Sequence, residues 1–147
     1  MDNKGPSPQP HPIENTTPSV KSLFAGLHQT IQALRGPEGC PWDQKQTCAS
    51  LKKYLREEMD ELIEAIDHEN HPNLCEEIGD LLFLLILAAE INHKANRFSL
   101  VDVISGINAK MVRRHPHVFG DSRCTDEAAL KKQWEAIKSQ EKRGKTI

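Results

Sequence analysis

The chain lacks an excess of either charge: 19 Lys and Arg face 21 Asp and Glu over 147 residues, a net charge of -2 at pH 7. Without a global basic field, neither nucleic acid nor an anionic membrane is expected as a main partner, although local basic patches remain open. A long apolar run is missing too. The most apolar stretch, Leu81 to Ala89, falls well short of the roughly 20 residues that a membrane-spanning helix needs. Cys40, Cys48, Cys75 and Cys124 form no CxxC pair, so a zinc site made from them and the histidines would lack its usual ligand spacing. Incidental thiols are the expectation. The first residues hold no apolar core of a secretory signal, which leaves the cytoplasm as the expected location. Sustained strand-type alternation and internal repeats are also lacking, and what remains is an all-α architecture of about five helices in one domain.

Met1 to Pro18 carries five of the nine prolines and little to bury, as in a disordered tail, so the folded domain is expected over 19–147. Leu23, Leu27, Ile31 and Leu34 recur at helical spacing until Gly36 and Pro37, and a loop is expected from Gly36 to Gln46. A second helix is expected from about Ser50 to His68 on the apolar stripe Leu51, Leu55, Met59, Leu62 and Ile66. Asn73 is the expected N-cap of a third helix reaching about Ala95, with Glu76 and Glu77 in its first turn. Leu81 to Ala89 wants burial on all sides, which points to a subunit interface; burial within one chain is the alternative. Ser99 and Asp102 have the spacing of a capping box opening a fourth helix that Pro116 stops. A last helix follows Thr125, with Leu130, Trp134 and Ile137 on one side and a basic end.

The most informative residues are acids. Glu58 with Glu61, and Glu77 with Asp80, are each three residues apart and so share a helix face. An antiparallel turn between Asp67 and Pro72 would set Glu58 opposite Asp80 and Glu61 opposite Glu77. Four converging carboxylates repel one another unless protons or a cation neutralise them, and all-oxygen ligation suits Mg²⁺, or Mn²⁺ in its place. Such an ion can orient a polyphosphate and lower the pKa of a coordinated water. Glu57 and Glu76, beside the inner acids, could hold that water or act as base. Lys110 and Arg114, four apart with Arg113 adjacent, could clamp a leaving pyrophosphate. Ordinary solvated helix faces, with pairs such as Lys53 and Glu57, are the plainer reading of the same charges.

Longer motifs narrow the choice. Cys40-Pro41-Trp42-Asp43 followed by Gln46-Thr47, then Glu57-Glu58-x-x-Glu61, Glu77-x-x-Asp80 and Arg113-Arg114-His115-Pro116-His117-Val118-Phe119 together resemble MazG-type nucleoside triphosphate pyrophosphohydrolases. The likeness runs on through Trp134-Glu135, Ile137-Lys138 and Glu141-Lys142. The resemblance implies an all-α dimer or dimer of dimers, dependent on Mg²⁺, that cuts a nucleoside triphosphate into monophosphate and pyrophosphate. It also implies roles: Glu58, Glu61, Glu77 and Asp80 as metal ligands, Lys110 and Arg114 as the phosphate-binding pair, and Trp134 as an aromatic that contacts nucleotide. Beside these, Glu57, Glu58 and Glu61 are the candidate catalytic residues, and Arg113 and Lys138 join the candidate substrate-binding residues. Trp42 and Asp43 lie in the opening loop, either touching substrate or locking the loop. Cys48 departs from the pattern, since relatives often have His there. His115 and His117, flanking Pro116 at a helix end, are expected to pack or cap rather than serve as general base.

Two functional classes follow. One is an enzyme that clears standard or damaged nucleoside triphosphates, or a narrower form restricted to one substrate such as dUTP or dCTP. The other is a noncatalytic helical dimer that senses nucleotide or binds a partner.

Overall fold

The structure, a computed structural model, describes residues 17–145, and these form seven helices: α1 (Val20–Arg35), α2 (Pro41–Lys45), α3 (Cys48–Asp67), α4 (His71–Lys94), α5 (Leu100–Arg114), α6 (Pro116–Phe119) and α7 (Glu127–Gly144). The tail expected over 1–18 falls, as far as Thr16, outside the described residues. The five long helices are those expected. The other two are short and both open on proline, whose fixed φ suits a first turn and whose missing N–H costs nothing there. The expected loop from Gly36 to Gln46 therefore contains α2, and the Pro116 that ends α5 starts α6.

Capping residues set the boundaries. Thr47 and Ser50 form a reciprocal capping box, so α3 begins before Ser50. Asn70, not Asn73, caps α4: its side chain accepts the Asn73 N–H at 3.2 Å, and Pro72 stands in the first turn. Helix α4 thus starts earlier than expected, and Glu76 and Glu77 lie beyond its first turn, out of reach of much of the dipole effect. Ser99 and Asp102 make the expected capping box of α5.

Helices α3 and α4, joined by residues 68–70, share the most extensive helix-helix contact, and α1 packs on α4. Ile31 of α1, Leu51 of α3, Leu84, Ile86, Leu87 and Ala89 of α4, and Leu100 of α5 form the core. Met59 and Ile66, expected on the inner stripe of α3, are exposed, while Ala65 is buried. The inward face of α3 runs through Leu51, Leu55, Glu58, Leu62 and Ala65, and Met59 and Ile66, one residue on, fall beside it. Leu87 is fully buried, so Leu87→Ala should destabilise the chain by about 2–5 kcal/mol, the usual cost of a truncated core leucine. Denaturant midpoints at an unchanged slope would measure this.

Two features position the site. Helices α6 and α7 pack on α5 and reach each other through His117 and Gln133, and among the described residues neither meets α1 to α4, so α5 to α7 form an arm beside a body made of α1 to α4. The body also leaves apolar surface open. Ile78, Leu82 and Leu85 of α4 remain 53%, 36% and 58% exposed, and Val101, Ile104 and Ile107 of α5 are exposed as well. Burial of the Leu81 to Ala89 run inside one chain, the alternative reading, is therefore not what the fold does. No helix among the described residues is long and apolar enough to cross a membrane.

Candidate active site

Across the α3–α4 contact, Glu58, Glu77 and Asp80 each place one carboxylate oxygen within 4.8 Å of the others. The i,i+3 spacing of Glu77 and Asp80 puts both on the face of α4 that meets α3. Glu77 is only 4% exposed, and its Oε2 is buried with no hydrogen-bond donor. Its pKa is pushed up to about 7, first by burial, then by a hydrogen bond to Glu58 and the charges of Glu61, Glu58 and Asp80. Glu58 is raised as well, chiefly by burial and by Asp80, Glu61 and Glu57, against the lowering effect of its hydrogen bond with Glu77. A buried carboxylate oxygen without a donor, among acids that raise one another's pKa, is a place where a cation would supply the missing compensation. The oxygen-only donor set fits Mg²⁺ or Mn²⁺.

Glu61 stands apart from the expected foursome. It is exposed and does not join the close group, because a fourth carboxylate drawn into uncompensated negative charge is more stable in water. It still lines one cleft with Glu77, together with His68, Asn70 and Asn73. Glu57 and Glu76 are exposed beside the group. None of the four thiols belongs to a metal-holding group among the described residues.

The basic candidates lie on the arm. Arg113 and Arg114 are already paired within the chain: both bind Glu141 of α7, Arg113 Nε donating to Oε1 at 2.7 Å and Arg114 Nη2 to Oε2 at 2.7 Å. Those hydrogen bonds hold the Glu141 carboxyl far below the usual range, at about 2. Sequence reasoning noted Glu141 only within a motif, since nothing local links it to arginines so far back along the chain. Lys110 and Lys138 line the same cleft, about 430 Å³ in volume; Lys138 also pairs with Glu135 at 3.5 Å. Trp134 faces another cavity, about 820 Å³, with His115, His117 and Lys131. Arg114 borders both and lies over the Trp134 ring, 5.1 Å from its centroid. His115 caps α5, its Nδ1 paired with the Met111 carbonyl at 2.6 Å, and its ring meets Trp134 edge-on. Among the described residues, no hydrogen bond or ion pair joins Lys110, Arg113, Arg114 or Lys138 to the acidic group.

The opening loop is locked in place. Asp43 and Gln46 are buried; Arg35 Nη1 donates to the carbonyl of Asp43 at 2.5 Å, Gln46 donates to the Trp42 carbonyl and Ser50 to the Gln46 side chain. A Cβ on Gly39 would sit 2.2 Å from the Leu34 carbonyl oxygen, so that turn requires glycine. Trp42 packs edge-on against Tyr54 at 5.3 Å, one turn before Glu58. Cys48 accepts a hydrogen bond from Asn92 at 3.1 Å.

Comparison with known proteins places these features in a group. Residues 46–119 match the model of the MazG nucleotide pyrophosphohydrolase domain. Over 120 residues the chain is 51% identical to the nucleoside triphosphate pyrophosphohydrolase/pyrophosphatase MazG of Thermotoga maritima, covering 82% of this chain and 46% of that protein. It is 42% identical over 113 residues to the nucleoside triphosphate pyrophosphohydrolase of Escherichia coli K12, covering 76% of this chain and 43% of that protein. YabN of Bacillus subtilis, uncharacterised, is 50% identical over 119 residues, covering 81% of this chain and 24% of that protein. The chain thus spans less than half the length of these relatives. The crystal structure of a mazG-related protein from Thermotoga maritima superposes with a TM-score of 0.65 at 26% identity, over 82% of this chain and 99% of that one.

Proposed function

Because the chain belongs to the MazG nucleotide pyrophosphohydrolase family, we propose that it hydrolyses nucleoside triphosphates to the monophosphate and pyrophosphate, with Mg²⁺ as cofactor and Mn²⁺ as substitute. Its role would be to clear standard or damaged nucleotides in the cytoplasm. The observation that carries this reading is the close group of Glu58, Glu77 and Asp80 around the buried, donorless Oε2 of Glu77. These three and Glu61, moving in from the rim, would hold the cation across an antiparallel α3–α4 hairpin. A cation bound there neutralises phosphate charge and lowers the pKa of a nearby water.

The chain's own residues do the rest. Glu57, exposed next to Glu58, takes the proton from the attacking water. Lys110, Arg113, Arg114 and Lys138 bind the phosphates and stabilise the charge that builds on the leaving pyrophosphate, while Trp134 contacts the nucleoside. Acidic and basic halves do not meet within one chain, and α4 and α5 keep an apolar face open. Both observations support a homodimer in which the arm of one copy serves the acids of the other, within a single domain over 19–147.

Pyrophosphate release from the eight common nucleoside triphosphates, and from oxidised and deaminated ones, tests the reading. Release with Mg²⁺ and none in EDTA is the expected result, and the ranking would name the substrate. If every substrate were bound without release, a nucleotide sensor would replace the enzyme.

A further inference from the structure

Among the described residues, the cleft between α5 and α7 is lined by Lys110, Arg113, Arg114, Lys138 and two further lysines, and by one acid, Glu141. That acid engages both arginines. Its Oε1 accepts from Arg113 Nε and lies 2.6 Å from Arg113 Nη2, and its Oε2 accepts from Arg114 Nη2 at 2.7 Å and Nε at 3.2 Å. The Glu141 and Arg114 side chains are 15% and 16% exposed. Arg114 is thus held side-on by the carboxylate and covered on one face by Trp134, whereas its Nη1 makes no hydrogen bond among the described residues.

Adjacent residues on a helix point about 100° apart, and two neighbouring guanidinium groups repel. Left alone, Arg113 and Arg114 would diverge into water. One carboxylate drawing both toward α7 overrides that tendency. A guanidinium has five donors in a rigid fork, so binding Glu141 through Nε and Nη2 leaves the Nη1 end available to an anion in the Lys110–Lys138 cleft. If Glu141 merely filled the place of a phosphate, it would be expected on that open end.

We infer that Glu141 is a positioning residue for substrate: it presets Arg114 so that the open edge of its guanidinium meets the phosphates of the nucleoside triphosphate. The inference rests on the phosphate-binding reading of Arg114 given above.

Steady-state hydrolysis by the full chain with Mg²⁺ tests it through a cycle of Arg114→Ala, Glu141→Gln and the double variant. Loss of one charge-assisted contact should raise KM about tenfold in Glu141→Gln, with kcat changed by less than about twofold, because the contact is made before and during the reaction alike. In the Arg114→Ala background, Glu141→Gln should add less than it does alone, the remainder acting through Arg113, which Glu141 also holds. Glu141→Asp, which keeps the charge, should recover part of the loss; if the Gln variant fails to fold by circular dichroism, Asp replaces it in the cycle. Losses that multiply in the double variant would overturn the inference, as would a lowered KM in Glu141→Gln, which would mark Glu141 as a competitor of phosphate. A raised KM in Arg114→Ala alone, with none in the Glu141 variants, also overturns it and leaves the phosphate-binding reading intact. An unchanged KM in Arg114→Ala would instead overturn that reading, and this inference with it.

Discussion

Glu77→Gln is expected to lower Mg²⁺-dependent triphosphate hydrolysis by on the order of a thousandfold, about 4 kcal/mol of transition-state stabilisation, while the metal-free protein unfolds no more easily than wild type. The combination is unusual for a side chain as buried as this one. Truncating a buried group normally costs stability, but the Glu77 carboxyl sits among Glu58, Glu61 and Asp80 with its Oε2 lacking a donor. Glutamine keeps the shape and can donate to Glu58, and it removes a charge that the apo cluster tolerates only by holding a proton. Initial rates with Mg²⁺ and thermal unfolding in EDTA would measure the two halves. Wild-type rates would remove Glu77 from the site, and a marked loss of apo stability would show that the cluster depends on its ionised carboxylate.

The pH dependence follows from the same group. Glu77 titrates at about 7 in the fold against an ordinary 4.5, so between these values the native chain keeps a proton that the unfolded chain has released. That contribution to stability is complete below 4.5 and is lost as pH rises through 7. Metal-free wild type should therefore be less stable at pH 8 than at pH 5. Glu77→Gln should flatten the slope, leaving the part due to Glu58, whose pKa is also raised. With Mg²⁺ present the trend should oppose this, because a cation needs the ionised ligands and its binding expels the proton.

Several of these residues could be picked out from the sequence because their geometry is local. The i,i+3 spacing of Glu77 and Asp80 fixes a shared face whatever the tertiary fold, and Ser99 with Asp102 caps its own helix. Glu61 shows the limit. Angular position on α3 brings it near Glu58, but depth depends on how α4 packs, and that leaves it at the rim. Asn70 takes the place expected of Asn73 as cap because Pro72 suits a first turn and so pulls the helix start back. The pairing of Arg113 and Arg114 with Glu141 had no sequence signal at all, since the partners are 27 and 28 residues apart and meet only because α7 folds back onto α5. Separation of the basic arm from the acidic group was equally invisible, for a motif names the members of a site and says nothing about which copy of the chain supplies each.

Leu85→Glu is therefore expected to have the second large effect, splitting the dimer proposed above into folded monomers and lowering hydrolysis at least about a hundredfold. Ile78, Leu82 and Leu85 fall at i, i+4 and i+7 on α4, the spacing of a single stripe, and Leu85 is 58% exposed although its neighbours Leu84, Ile86 and Leu87 are buried. Because Leu85 is outside the core, a carboxylate there leaves α4 packed on α1 and α3. Placed at a subunit contact, the same carboxylate would lose its water unpaired, at several kcal/mol, enough to raise the dissociation constant by more than about a hundredfold. Activity should fall with assembly, because α7 carries Trp134, Lys138 and Glu141 and touches neither α3 nor α4 of its own chain. Sedimentation of wild type and variant, with rates measured on the same samples, separates the cases. A monomeric variant at full activity would mean that the arm reaches the acids of its own chain, and a monomeric wild type would mean that the apolar face of α4 serves something other than a second copy.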